Sequence, residues 1–242
     1  MSLPPEFWDM YLKYIYDRSV ATMHPYQELM RSIVSCLALK GDEVVFDLGT
    51  GTGNVIKALL EAGHHGPIIG IERSLSGVER AREKFAGIAS VQIIHGDLDD
   101  PTTLAAIASK PEVVTDCNHL YESASPKKLL AQVYEYLSPG GLFLVNNPHT
   151  PRLDWVLEAH ARWLADVATS EDRARHERDL WSYNVMITMN KEIALHAVEG
   201  RNHFWSPAEL VAEKERVGFV LEYTDSATYA DTSCLTLARK PY

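Results

Sequence analysis

Val44-Val-Phe-Asp-Leu-Gly-Thr-Gly-Thr-Gly-Asn54 is the stretch on which the reading of the fold turns. Val44 to Phe46 is a short apolar run that reads as a buried strand, and Asp47 stands at its end. Glycines follow at alternate positions, Gly49, Gly51 and Gly53, and a helix is predicted from Asn54 to Ala62, closed by Gly63. Glycine permits a tight turn and lets a ligand lie against bare backbone. The helix start beyond it offers N–H donors with no intrahelical partner. A dinucleotide-binding turn would read G-x-G-x-x-G; here the spacing is G-x-G-x-G, and Asn54 occupies the place of that fingerprint's last glycine.

Outward from this turn, strands and helices alternate. Strands are predicted at Pro67–Ile71, Val91–Ile94, Glu112–Cys117 and Gly141–Val145. Helices are predicted at Leu75–Phe85, Thr102–Ala108 and Pro126–Leu137, the last with Leu129, Leu130, Val133 and Leu137 facing inward. Nearly all-apolar strands alternating with helices imply a parallel sheet covered on both faces. Ligands of such sheets sit at the carboxyl ends of the strands, where strand order reverses. The loops after Phe46, Ile71, Ile94, Cys117 and Val145 are therefore expected to face the site.

Acids stand at three of those strand ends: Asp47, Glu72 and Asp97. A carboxylate beside the glycine turn repels a pyrophosphate but can hold an ammonium group, which favours a ligand carrying an amino acid. Glu72 lies at the usual distance from a glycine turn for an acid that accepts ribose hydroxyls. Asp97 is placed to accept from an adenine amino group, with Leu98 beside the ring.

With these residues in view the chain resembles the class I S-adenosylmethionine (SAM)-dependent methyltransferases. Asp47–Gly53, Glu72, Gly96-Asp97 and Leu137-Ser-Pro-Gly-Gly-Leu-Phe-Leu-Val145 carry the resemblance. It is nearest to the small-molecule branch that includes quinone-biosynthesis C-methyltransferases, through Tyr16-Asp17, Phe204-Trp-Ser-Pro-Ala-Glu-Leu210 and Gly218-Phe219. The resemblance covers residues 10–147 and 203–239. It implies a Rossmann-like, seven-stranded, mostly parallel α/β sheet with helices on both faces and a helical N-terminal and insert cap, with SAM as cofactor. It also implies contacts: Asp47, Gly49, Thr50, Gly51 and Gly53 with the methionine part, Glu72 with the ribose, and Asp97 and Leu98 at the adenine, with Arg73 a further cofactor-binding candidate. Asn118 would line the methionine end, and Tyr16 would close over the cofactor.

Composition narrows the alternatives. The 242 residues suit a single domain, divided as an N-terminal helical cap (1–40), a cofactor-binding core (41–147), an insertion or lid (148–202) and a C-terminal helix and strand pair (203–242). A net charge of −10 without a basic cluster speaks against nucleic acid as a partner, since phosphate binding needs concentrated Lys and Arg. No apolar run approaches the roughly 20 residues that cross a bilayer, and the N-terminus lacks a signal-peptide pattern. The expected setting is cytoplasmic, away from membranes. Three scattered cysteines, Cys36, Cys117 and Cys234, with no CxxC pair, read as buried free thiols and give no metal site.

Pro4 to Leu39 reads as helix, interrupted at His24-Pro25 because a residue preceding proline avoids helical geometry. Pro151–Asp179 reads as amphipathic helix, with Trp155, Ala159, Trp163 and Val167 on one face, and Trp181–Met189 fits a strand or a helix. A connection this long points to a lid; its tryptophans could equally form core or a homodimer face. Ser206-Pro-Ala-Glu209 is a capping box that opens a helix to Val217. Strands at Phe219–Thr224 and Ser233–Ala238 close the chain.

The substrate is expected to be a small molecule, methylated at C, N or O. An activated methyl donor needs alignment with its acceptor and exclusion of water; a base is needed only where the acceptor loses a proton. His119 and His149 are the candidate catalytic residues, with Glu122, His203 and His24 behind them. Tyr14, Trp181 and Tyr183 are candidates for an aromatic acceptor pocket. The alternatives are a SAM-binding protein of this fold with a non-methylating activity, or one with a regulatory role.

Overall fold

The structure, a computed structural model, describes residues 5–21, 24–149, 161, 165, 188, 190–200 and 202–242. Seven strands form one sheet: β1 (Val45–Leu48), β2 (Ile68–Glu72), β3 (Val91–His95), β4 (Val113–Cys117), β5 (Leu142–Pro148), β6 (Val220–Ala227) and β7 (Ser233–Arg239). Their order is β3-β2-β1-β4-β5-β7-β6. Neighbours from β3 through β5 run parallel, and β7 is antiparallel to both β5 and β6. Strand order reverses at β1, which lies between β2 and β4.

The described helices are α1 (Pro5–Tyr14), α2 (Tyr16–Val20), α3 (His24–Leu37), α4 (Asn54–Glu61), α5 (Leu75–Lys84), α6 (Thr102–Ala105), α7 (Pro126–Tyr136), α8 (190–198), α9 (Pro207–Val217) and α10 (Thr228–Asp231), with a 3₁₀ turn at Leu120–Glu122. Alternate strand residues feed opposite cores. Phe46, Val114 and Phe143 pack with Leu129, Leu130, Val133 and Leu137 of α7, joined by Leu210 and Phe219. Val45, Val113 and Leu144 pack on the other face with α3, α4 and α5. The inward stripe expected on α7 is present, and the Ser206–Glu209 capping box forms in both directions.

Three expectations are revised. The N-terminal segment is not one cap: Leu29, Ile33 and Leu37 make α3 part of the layer under the sheet, and of α3 only Tyr26 joins α1 and α2 at the strand ends. The helix is interrupted twice: at Ile15, outside helical geometry with φ −127°, and again before α3, which begins at His24, so that Pro25 sits in the first turn of α3, where a proline lacking its N–H costs nothing. β5 runs three residues beyond Val145, because Asn146, Asn147 and Pro148 continue the ladder against Leu235, Cys234 and Ser233. The helices expected between Pro151 and Asp179, and the segment at Trp181–Met189, lie outside the described residues apart from Ala161, Ala165 and Thr188, which are helical. No helix among the described residues is long and apolar enough to cross a membrane.

Candidate active site

A cavity opens at the carboxyl ends of β1, β2, β4 and β5, the position that the strand order dictates. Its floor is the glycine turn. Asp47 is fully buried, and both carboxylate oxygens are occupied: Thr50 Oγ1 donates to Oδ2 at 2.5 Å and Thr115 Oγ1 to Oδ1 at 2.7 Å. Thr115 reaches it because the two residues face each other across β1 and β4. Burial lifts the Asp47 carboxyl to about 6, against the lowering effect of the two hydroxyls. Asp47 therefore shapes the turn from beneath.

Glu72 ties the second strand to the same turn. Gly51 N donates to its Oε2 at 2.8 Å and Ser74 N to its Oε1 at 2.7 Å. Gly49 has φ +60°, and a Cβ there would lie 2.4 Å from the His119 ring. The glycine lets the turn and the loop after β4 close on each other. Gly53 also has positive φ but caps α4, and a Cβ there would meet the Phe85 ring at 2.3 Å.

The loop after β4 supplies the polar wall. Asn118, in left-handed conformation at φ +59°, accepts from Asn146 Nδ2 at 2.8 Å. His119 Nδ1 lies 3.0 Å from Oδ2 of the fully buried Asp116. Burial disfavours the charged ring, but Asp116, Glu72 and Glu122 outweigh it and raise the His119 pKa above its ordinary value. Glu122 is buried and pairs with Arg73 at 3.3 Å. Burial pushes its carboxyl up to about 7 despite the opposing pull of Arg73 and His119. Cys117 also lines the cavity, but burial and the nearby Asp47 and Asp116 hold its thiol well above the usual range, so it is not a ready nucleophile.

An aromatic wall closes the other side. Trp8, Tyr11, Tyr16, Tyr26 and Tyr229 contact one another edge to face, at centroid distances of 5.8, 5.4, 6.1 and 6.3 Å in turn. Tyr16 OH donates to Tyr26 OH at 3.1 Å. Two acids pin the helices that carry this wall. Asp9 accepts from Ser74 Oγ at 2.5 Å, and Asp17 accepts from Thr52 Oγ1 at 2.5 Å and from Lys84 Nζ at 3.2 Å.

Of the residues singled out from the sequence, Tyr16, Asp47, Gly49, Thr50, Gly51, Glu72, Arg73, Leu98, Asn118 and His119 line this one cavity. Gly53, Asp97 and His149 do not. Gly53 is turned under α4. Asp97 is exposed, and its Oδ1 accepts from Asp99 N at 3.0 Å, so Gly96 and Leu98 flank the cavity in its place. His149 is carried past the cavity by the longer β5: its N–H donates to Thr232 O at 2.9 Å and its Nε2 lies 3.0 Å from Ser226 O. Tyr14 is exposed, whereas Glu122 is a lining residue. The side chains of His24, Trp181 and Tyr183 lie outside the described residues. Of the expected lid, Pro148, Asn190, Ile193 and Ala194 reach the cavity. Tyr121 and Tyr229 line the cavity without any motif to announce them, Phe204 belongs to a quoted motif that does not mark it as a lining residue, and Asp116 is hidden inside a strand.

The lining suits a cationic nucleoside bearing an amino acid. Acids dominate its charge, the glycine turn leaves room at Gly51, and Arg73, which faces Glu122, is the one lysine or arginine among the described lining residues. A phosphate chain would find little to neutralise it.

Residues 39–218 match the family described as "Methyltransferase domain". An uncharacterized methyltransferase of Geobacillus kaustophilus is 35% identical over 149 residues, 56% of this chain and 64% of that protein. A demethylmenaquinone methyltransferase of Clavibacter sepedonicus is 28% identical, over 53% of this chain and 50% of that protein. The chain thus spans less than two thirds of the length of these relatives. Among solved structures, a putative methyltransferase of Haloferax volcanii in complex with its Trm112 activator aligns over 100% of both chains at 18% identity and TM-score 0.63. Magnesium protoporphyrin IX methyltransferase of Synechocystis with bound SAM aligns over 99% of this chain and 98% of that chain, at 14% identity and TM-score 0.61. These two establish likeness of fold. With 39–218 matched, the acidic glycine turn and the 3-2-1-4-5-7-6 sheet, the chain belongs to the methyltransferase-domain family and is a class I SAM-dependent methyltransferase domain.

Proposed function

We propose that this chain methylates a small molecule inside the cavity formed by the glycine turn and the aromatic wall. One observation carries the reading: the acidic floor and the ring-lined wall border the same cavity, so cofactor and acceptor would share one enclosure. Bound SAM would supply an electrophilic methyl group on a sulfonium. Glu72 would accept ribose hydroxyls, Leu98 would lie against the adenine, and Asn118 and the backbone at Gly49–Gly51 would face the amino-acid end.

The wall's work is to bind the acceptor and to keep water out, which strengthens the electrostatics of the site. Edge-to-face rings favour an apolar or aromatic acceptor. Where the acceptor loses a proton, His119 would receive it, since its ring lines the cavity with Asp116 behind. The net charge of −10 supports a small metabolite over a nucleic acid.

The test is transfer of isotopic methyl from labelled SAM into a metabolite extract, a protein extract and total RNA. Label in one or a few small molecules supports the reading. Label confined to protein or RNA, or no turnover although SAM binds, would overturn it.

A further inference from the structure

Asp116 lies on β4 opposite Leu48 of β1 and Val145 of β5, and it is fully buried. Both of its oxygens point into the loop that follows. Oδ1 accepts from the backbone N–H of His119 at 3.2 Å and of Leu120 at 2.9 Å. Oδ2 lies 3.0 Å from His119 Nδ1. On its other side the ring rests against Gly49, so the imidazole is held between a carboxylate and a glycine.

We infer that Asp116 is a positioning residue: it fixes the proton of His119 on Nδ1 and presents Nε2 to the cavity as the acceptor. This rests on the reading that His119 takes the acceptor's proton. An ionised carboxylate only accepts hydrogen bonds, so the nitrogen that faces it must carry hydrogen. In the neutral ring the other nitrogen then has its lone pair free. No described residue donates to Nε2, and His119 lines the cavity. When the acceptor's proton passes to Nε2, the ring becomes an imidazolium stabilised by Asp116 and returns that proton to solvent later. The charged groups around the ring are Asp116 on β4, Glu72 on β2, Glu122 on the 3₁₀ turn and Asp99 beyond β3, with Arg73 set against Glu122.

A capping role alone would use only Oδ1. Asp116→Asn separates the two roles: the amide oxygen can still accept from His119 and Leu120, while the NH₂ now faces Nδ1. The ring must then move its proton to Nε2, which no longer accepts. Nitrogen-15 NMR of histidine-labelled protein, in the presence of S-adenosylhomocysteine, reads this directly. The unmutated protein should show His119 protonated on Nδ1 when neutral, and Asp116→Asn should show it on Nε2, with a lower titration midpoint. Label transfer to the extract component that the unmutated protein methylates should fall about 10²–10⁴-fold. Adding His119→Gln to Asp116→Asn should cost little more, because the two residues act as a unit.

Neutral His119 protonated on Nε2 in the unmutated protein would overturn the inference even if Asp116→Asn does not fold, and so would an unchanged tautomer in the variant. Multiplicative losses in the double variant would also overturn it. An inverted tautomer with undiminished transfer would uphold the hold of Asp116 on the ring and remove His119 as the base.

Discussion

On one side of the cavity, backbone N–H groups of Gly51 and Ser74 grip Glu72, and two threonine hydroxyls grip Asp47. On the other, five aromatic rings from α1, α2, α3 and α10 meet edge to face. The floor is directional: each group is placed by hydrogen bonds and by glycine backbone that no other residue can copy cheaply. The wall is held by contact area and tolerates exchange of like shapes. Substitutions in the floor should therefore destroy function out of proportion to their size, while conservative substitutions in the wall should be absorbed.

The largest effect is expected at Gly49→Val. A side chain at φ +60° costs about 1–2 kcal/mol. The Cβ would also lie 2.4 Å from His119, and overpacking of that kind costs about 1–3 kcal/mol. Stability should drop by a few kcal/mol in urea unfolding, with S-adenosylhomocysteine binding lost in calorimetry. An unchanged midpoint with full affinity would show that the turn is softer than the wall, the reverse of the contrast drawn above.

The same contrast explains what could be read in advance. The floor comes from one contiguous motif and from strand ends whose neighbours follow from topology, so Asp47, Gly49, Thr50, Gly51 and Glu72 were found together. Asp97 was misplaced because the residue after a strand can face the ligand or fold back into its own turn, and the Asp99 N–H decides this locally. His149 missed the cavity because the extra length of β5 depends on β7, some ninety residues later in the chain. The wall joins Trp8, Tyr26 and Tyr229, whose meeting is a product of tertiary packing with no sequence spacing to announce it. Asp116 reads in sequence as a polar residue beside Thr115 at the end of an otherwise apolar strand, and only its distance to His119 gives it a role.

A second, smaller effect probes the boundary between the two regions. Burial raises the Glu122 carboxyl from its ordinary 4.5 to about 7, with Arg73 and His119 opposing. The folded protein thus holds this proton more tightly than the unfolded chain does. Its stabilising contribution is complete below about pH 4.5 and is lost as pH rises through 7. Glu122→Gln mimics the protonated form at every pH. Urea midpoints from pH 5 to 8 should decline less in the variant, and it should exceed the unmutated protein by on the order of 1–2 kcal/mol at pH 8. Asp47, raised to about 6, leaves a residual slope of the same sign. A variant that is less stable at pH 8 would mean that the Arg73 pair outweighs burial.

The smallest effect should come from Tyr16→Phe, and its smallness is informative. The substitution keeps the ring and both edge-to-face contacts, with Tyr11 at 5.4 Å and Tyr26 at 6.1 Å. It removes one hydrogen bond, the 3.1 Å donation to Tyr26 OH, and a neutral bond of that kind contributes about 1 kcal/mol. Thermal unfolding should register that loss, while affinity for S-adenosylhomocysteine should stay within about threefold, since 1.4 kcal/mol would be needed for a tenfold change. A collapse of affinity with little change in thermal midpoint would mean that the Tyr16 hydroxyl itself meets the cofactor. The wall would then owe part of its function to a directional bond, and the division between a hydrogen-bonded floor and a packed wall would have to be redrawn with Tyr16 on the floor's side.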